Sequence, residues 1–201
     1  YGMDVLKRIR AELDARYPDD LALACDLTDR AAVASAIDRV RQQHGRVDAL
    51  LNIAGGFAMG TPVHDTPAET WEGQYAINVR TMLNACEAVV PLMREAGRGR
   101  IVNIGALGAL AGIAQLGAYI AAKSTVIRLT ETMSEELKAE GINVNCVLPS
   151  VIDTPPNRAA MPDADPAEWV SPAALAGVIA FLCSEDAAAI HGAAIPVRGL
   201  S

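Results

Sequence analysis

The chain has 201 residues and a formal net charge of −7, from 17 Lys and Arg against 24 Asp and Glu, which predicts one acidic domain. This acidity argues against a nucleic-acid partner, because affinity for phosphate backbones comes mainly from cationic side chains. No apolar run approaches the roughly 20 residues of a membrane helix, so we expect no membrane partner. The four cysteines are scattered, with no CxxC pair and no histidine at ligand spacing, and predict reduced thiols in a cytoplasmic protein without a metal site.

Helical spacing and short apolar runs alternate along the chain. In order, they predict a helix over about 4–16, a strand at 21–25, a helix capped by Thr28 or Asp29, a strand at 47–53, a helix over about 68–95 and a strand at 100–104. A Gly- and Ala-rich loop follows at 105–117, then a helix over about 118–140, a strand at 142–148, a proline-rich loop or lid at 149–172, a helix from Ser171-Pro172 to about Ser184 and a strand at 193–197.

Strands that are apolar on both faces and alternate with helices are typical of a parallel sheet covered on both sides. The chain is therefore predicted to be a single α/β domain over 1–201 with a doubly wound parallel sheet. In such a sheet, ligands bind beyond the carboxyl ends of the strands.

Small and polar residues follow each predicted strand. They are Cys25-Asp26-Leu27, Asn52-Ile53-Ala54-Gly55, Gly105-Ala106 and the run from Pro149 to Thr154. Small residues let a flat ligand approach the backbone. Taken singly, each signal is weak, because Asp26 could be a turn residue and Asn52 an ordinary strand exit.

Tyr119 and Lys123 form a Tyr-x-x-x-Lys motif on a predicted helix. Residues four apart share a helix face, and a nearby ammonium is expected to lower the pKa of a tyrosine from its usual value of about 10. Such a phenol could act as a general acid, which typically contributes about 10²–10⁴-fold to a rate. In isolation, the pair could equally be two residues that merely share a helix face.

The order of the motifs removes much of that ambiguity. An Asp after one strand, Asn-x-Ala-Gly after the next, Asn78 on a helix, Tyr-x-x-x-Lys and then Pro-x-x-x-x-Thr occur in the order typical of the short-chain dehydrogenase/reductase family. The chain resembles that family from about residue 4 to 201. The resemblance implies a Rossmann-like fold, an NAD(P)H cofactor and a homodimer or homotetramer formed through the helix at about 68–95 and the helix of Tyr119.

The resemblance also implies a role for each matching residue. Tyr119 would be the acid/base, Lys123 would lower its pKa and hold the nicotinamide ribose, and Asn78 would support a water that supplies protons to Lys123. The adenosine side would be contacted by Asp26, Leu27, Asn52, Ala54 and Gly55, and the nicotinamide side by Ile104, Pro149, Ile152 and Thr154.

The sequence departs from the family pattern in two places. The Gly-rich phosphate loop and its flanking strands should precede residue 4, so the chain is expected to lack its first βαβ part, which also carries the choice between NADH and NADPH. The second departure is Ala106, at the position 13 residues before Tyr119 where the family usually has a serine that polarises a substrate carbonyl.

Gly105-Ala106 resembles the dihydropteridine reductase branch of the family, as does the lid sequence from Asp153 to Trp169. That likeness implies substrate contacts at Gly105, Ala106, Asn157 and Met161. The favoured interpretation is an NAD(P)H-dependent reductase of a small cyclic or conjugated substrate. The alternatives are a carbonyl or 3-oxoacyl reductase and, in another class, a non-catalytic dinucleotide-binding or assembly subunit.

Overall fold

The computed structural model describes residues 20–200, and the helix predicted at 4–16 lies outside them. The described residues contain one sheet of four parallel strands that pair in chain order. These strands are β1 (Ala49–Asn52), β2 (Gly99–Ile104), β3 (Ile142–Pro149) and β4 (Ala194–Val197). Since all four run the same way, their carboxyl ends meet at one edge of the sheet.

Helices connect the strands. They are α1 (Arg30–His44), α2 (Ala68–Tyr75), α3 (Thr81–Ala96), α4 (Gly117–Leu137), α5 (Pro155–Ala160) and α6 (Pro172–Cys183). The Asp29 carboxylate accepts hydrogen bonds from the backbone amides of Ala31 and Ala32 and so begins α1. The α6 helix begins with Ser171 as its cap and Pro172 in its first turn.

Apolar side chains cover both faces of the sheet. On one face, Ile101 and Val144 pack with α3 and α4, whereas on the other face Val102 and Val147 pack with α6. Neighbouring residues of a strand point to opposite faces, so the apolar character of β2 and β3 on both sides follows directly. The prediction of a doubly wound, Rossmann-like parallel sheet is confirmed.

The strand predicted at 21–25 is wrong, because these residues form no ladder with a neighbouring strand. Alternate residues of this segment still point the same way, as in a strand. Leu21, Leu23, Cys25 and Leu27 line a cavity of about 330 Å³ together with α1 and β1. The apolar alternation therefore indicated which side chains face inward, whereas pairing into a sheet depends on backbone bonds that the alternation does not show.

The proline-rich segment 149–172 is more ordered than a loop. It contains α5 and a 3₁₀ turn at Pro166–Glu168. Its two ends are joined by backbone bonds, from the amide of Val170 to the carbonyl of Val151 and from the amide of Asp153 to the carbonyl of Val170. These two bonds hold the beginning and the end of the lid together.

Between residues 20 and 200, no helix is long and apolar enough to cross a bilayer. The same residues hold no group of three or more His, Cys, Asp or Glu side chains that could bind a metal ion.

Candidate active site

Lys123 lies on α4 with only 5% of its surface exposed. Its Nζ donates a hydrogen bond to the carbonyl oxygen of Ile104 at 2.8 Å, at the carboxyl end of β2. Burial penalises the charged form and lowers the pKa of Lys123 to about 8. An ammonium has three donor hydrogens, so two remain for a ligand.

Tyr119 lies one turn before Lys123 and is half-buried. Within the described part of the chain, its hydroxyl has no hydrogen-bond partner, which leaves it free for a substrate. Burial raises the pKa of Tyr119, so the expectation that Lys123 lowers it is wrong for the chain without ligands. The physical reason is that the Lys123 ammonium is directed to the Ile104 carbonyl while the surroundings disfavour a phenolate.

The Asn78 side chain is buried where a π-helical turn, Ala76–Arg80, separates α2 from α3. Its Oδ1 accepts from the Gly56 amide at 3.1 Å, and its Nδ2 donates to the Gly56 carbonyl at 3.0 Å. Nδ2 also lies 3.2 Å from Gln74 Oε1. Such π turns often occur at functional sites. This turn interrupts the single helix predicted at 68–95 and divides it into α2 and α3.

Gly55 joins these groups into one site. A Cβ added at Gly55 would lie 2.9 Å from Asn78 Oδ1 and 3.2 Å from Lys123 Nζ. Only a residue without a side chain lets the backbone approach both polar groups. The strand end at 52–55 therefore lies next to the side chains of Asn78 and Lys123.

Gly105 and Ala106 follow β2. The Gly105 amide donates to the Val147 carbonyl, and a Cβ there would lie 2.5 Å from Leu148, so Gly105 serves close packing of the strands. Ala106 is buried and carries no hydrogen-bond donor on its side chain. The site therefore lacks the hydroxyl that would grip a ketone oxygen at this position.

Asn103 is a site residue that the sequence analysis missed. It is fully buried in β2, accepts a hydrogen bond from Asn52 Nδ2 at 2.8 Å, and donates one to Thr130 Oγ1 at 2.8 Å. This row ties the end of β1 to β2 and then to α4. Its signal in the sequence was an Asn within an apolar strand, since a buried amide needs partners on both sides.

Gly55, which was expected on the adenosine side, lies beside Lys123 instead. The other residues expected on that side are Asp26, Leu27, Asn52 and Ala54. Asp26 is exposed, and hydrogen bonds from the Thr28 hydroxyl and amide lower the pKa of its carboxyl group. Leu27 is held by its carbonyl, which accepts from Asn84 Nδ2 at 2.9 Å. Leu27, Asn52 and Ala54 all line the 330 Å³ cavity.

Most of the lid residues are held by contacts within the lid itself. Ile152 pairs with Val170, and Thr154 caps α5 by accepting from the Asn157 amide. Asn157 Nδ2 donates to the Ile152 carbonyl at 2.8 Å, so this side chain braces the lid. Arg158 makes two bonds to the Asp153 carboxylate, of 2.6 and 2.8 Å. Among the predicted lid contacts, Pro149 ends β3 and Met161 is half-buried beyond α5.

The nicotinamide end of a dinucleotide fits these residues. The two remaining hydrogens of the buried Lys123 ammonium suit ribose hydroxyls, and Gly55 leaves the backbone open beside them. Thr154 uses its oxygen as an acceptor in the cap, which keeps its hydroxyl hydrogen for an amide oxygen.

The chain is similar to known proteins over most of its length. Residues 2–199 match a family model described as enoyl-(acyl carrier protein) reductase. The chain is 36% identical over 191 residues to the inactive 2-(S)-hydroxypropyl-CoM dehydrogenase 2 of Xanthobacter autotrophicus (strain ATCC BAA-1158 / Py2), covering 88% of this chain and 83% of that protein.

Two further similarities bear on the chemistry. The chain is 32% identical over 187 residues to the cyclopentanol dehydrogenase of Comamonas sp. (strain NCIMB 9872), covering 88% of this chain and 74% of that protein. The crystal structure of NAD+-bound xylitol dehydrogenase superposes with a TM-score of 0.88 at 26% identity, covering 98% of this chain and 85% of the other.

Proposed function

Because the chain belongs to the short-chain dehydrogenase/reductase family, an enzyme family that uses NAD(P), we propose that it reduces a small cyclic or conjugated substrate with NAD(P)H. The observation that carries this proposal is the free hydroxyl of Tyr119, which lies one turn from the buried ammonium of Lys123. The site also has Ala106 where a serine would bind a ketone oxygen. The similarity to a cyclopentanol dehydrogenase supports a ring substrate.

A nicotinamide cofactor, when bound, supplies the hydride. Tyr119 donates its hydroxyl proton to the substrate atom that gains negative charge, so one hydride and one proton are added and NAD(P)+ is left. Burial raises the pKa of Tyr119, so the hydroxyl holds its proton at neutral pH until the substrate accepts it. Lys123 holds the ribose and stabilises the tyrosinate that forms, and Asn78 fixes the backbone at Gly56 beside them.

The alanine at position 106 decides between substrate classes. Reduction of a simple ketone concentrates charge on one oxygen, and a missing donor there typically costs about 10²–10³-fold. In a conjugated ring the charge spreads over several atoms, so a single hydroxyl matters less. This is the property that the chain would share with the dihydropteridine reductase branch.

The remaining contacts follow the same arrangement. We place the adenosine against Asp26, Leu27, Asn52 and Ala54, which lie at or near the cavity beside β1. The nicotinamide amide would meet Pro149, Ile152 and Thr154 after β3, and Met161 would face the substrate from the lid 149–172. Asn157 would act through Ile152, whose carbonyl it holds.

Replacing Tyr119→Phe tests the mechanism. We expect kcat to fall by about 10²–10⁴-fold with little change in the Kd for NADH, because the ring remains and only the proton donor is lost. NADH oxidation and NADH fluorescence measure the two quantities. The matched control is Tyr75→Phe, since Tyr75 is 43% exposed and lies outside the site. Unchanged turnover in Tyr119→Phe would exclude this residue as the acid.

Restoring the serine with Ala106→Ser separates a conjugated-ring reductase from an ordinary carbonyl or 3-oxoacyl reductase. We expect the variant to gain about tenfold or more in kcat/KM for simple ketones, whereas conjugated rings should change little. If the unmodified chain already reduces 3-oxoacyl thioesters and simple ketones as well as conjugated rings, the carbonyl-reductase alternative is favoured.

A second candidate is a dinucleotide-binding subunit without catalysis, which Ala106 and the similarity to a protein named as inactive both favour. Such a chain would bind NADH yet oxidise it with no member of a substrate panel.

As for assembly, we propose a homodimer or homotetramer through α3 and α4. Met82 and Val89 are buried in the chain's own core; Leu83 and Val90 also pack against it but are only half-buried, so part of their surface is open to a partner. The free state of all four cysteines agrees with a cytoplasmic setting.

A further inference from the structure

Large apolar side chains are exposed around the Tyr119 end of α4. Phe57 and Met59 follow β1 in one loop, and Leu110 and Ile113 lie in the loop after β2, with exposures of 60%, 64%, 58% and 48%. The Gly60 amide donates to the Gln115 carbonyl at 3.0 Å and joins the two loops. Contiguous exposed apolar residues commonly mark a binding surface.

Phe57 is the member of this group that touches the proposed acid. Its ring packs edge-to-face on Tyr119, with 4.9 Å between the ring centroids and an interplanar angle of 73°. Gly55 and Gly56, which precede it, are fixed by the Asn78 side chain. The position of the Phe57 ring is therefore set from both sides, although most of its surface remains open.

The two loops carry no charge. From Gly55 to Val63 and from Gly105 to Ala118 there is no Asp, Glu, Lys, Arg or His. Arg158, the nearest cation along the lid, is already paired with Asp153. The two loops therefore offer no ionic partner to a phosphate, sulfonate or carboxylate group.

We propose that Phe57 is a specificity-determining residue that forms one wall of the substrate site and selects an uncharged apolar ring over an open chain. This inference rests on the proposed reductase function and gives it a substrate class. An exposed aromatic face beside the proton donor can stack on a flat or alicyclic ring, and aromatic contacts contribute beyond the area they bury. An open chain presents less surface to that face and loses more conformational freedom on binding.

The test compares two uncharged enones, cyclohex-2-en-1-one and the open-chain pent-3-en-2-one, which share the same conjugated group. With NADH or NADPH, the unmodified chain should prefer the ring. Phe57→Ala should lower kcat/KM for cyclohexenone by about tenfold, mainly through KM, and change it by less than twofold for pentenone. Phe181→Ala is the matched control, since Phe181 is an exposed phenylalanine that lies on α6, outside the two loops. Phe57→Tyr should restore the preference.

A second readout does not depend on turnover. With NAD+ present and no reductant, saturation transfer from the chain to cyclohexenone should be strong and should be lost in Phe57→Ala. An equal loss for both enones, or none for either, would overturn the role of Phe57. If the unmodified chain oxidises NAD(P)H with neither enone, the proposed function fails for this class. Saturation transfer then still decides whether Phe57 binds a ring.

Discussion

Lys123 occupies surroundings that penalise its own charge. Its folded pKa of about 8 lies below the ordinary value of 10.5, so between these two pH values the unfolded chain binds more protons than the folded one. By linkage, the free energy of unfolding then rises with pH. The contribution of Lys123 is thus lowest below pH 8 and grows by about 3 kcal/mol as pH approaches 10.5.

We therefore expect the free energy of unfolding of the unmodified chain to rise by about 3 kcal/mol relative to that of Lys123→Met between pH 7.5 and 10.5. Urea unfolding at several pH values measures it. Burial raises the pKa of Cys86 to about 11, which lowers stability above pH 9 equally in both proteins. Burial also raises the pKa of Cys146 to about 11, but this thiol interacts with Lys123, so the comparison is made in a Cys146→Ala background. A pH-independent difference between the two proteins would contradict the buried charge.

The same scale shows what the sequence could and could not reveal about the site. Spacing placed Tyr119 and Lys123 on one helix face, and the family pattern associated Asn78 with Lys123, whereas Gly55 was expected on the adenosine side and lies beside Lys123. Burial raises the pKa of Tyr119, and the spacing of residues along a helix does not show that burial. Asn103 escaped notice because a polar residue inside an apolar strand reveals its role only through its partners.

At the scale of elements, periodicity identified segments better than it identified their hydrogen bonding. The residues of β2, β3, α4 and α6 were predicted to within a few positions, because each has one clear apolar pattern. The π turn at Ala76–Arg80 keeps a helical apolar pattern and differs only in its backbone bonds, so the prediction joined it to α2 and α3. The segment 21–25 shows the converse, since it has the apolar alternation of a strand but belongs to none of the four strands of the sheet.

At the scale of the whole molecule, the four parallel strands bring their carboxyl ends to one edge of the sheet, and the proposed cofactor would contact Gly55, Lys123 and Thr154 there. Binding to the folded chain alone must then stabilise it. A cofactor at 100 times its Kd adds about 2.7 kcal/mol to the free energy of unfolding. For a domain of this size, that should raise Tm by roughly 5–11 °C.

Thermal unfolding with increasing NADH and, separately, NADPH measures this effect and also ranks the two cofactors. Lys123→Met should reduce the rise in Tm, because the ribose loses its donors, whereas Tyr119→Phe should largely retain it, since the phenol acts on the substrate. Adenosine alone should stabilise both variants equally, as its contacts at Leu27 and Ala54 lie away from Lys123. A Tm that neither dinucleotide changes up to millimolar concentration would contradict cofactor binding by this chain, whatever its catalytic residues.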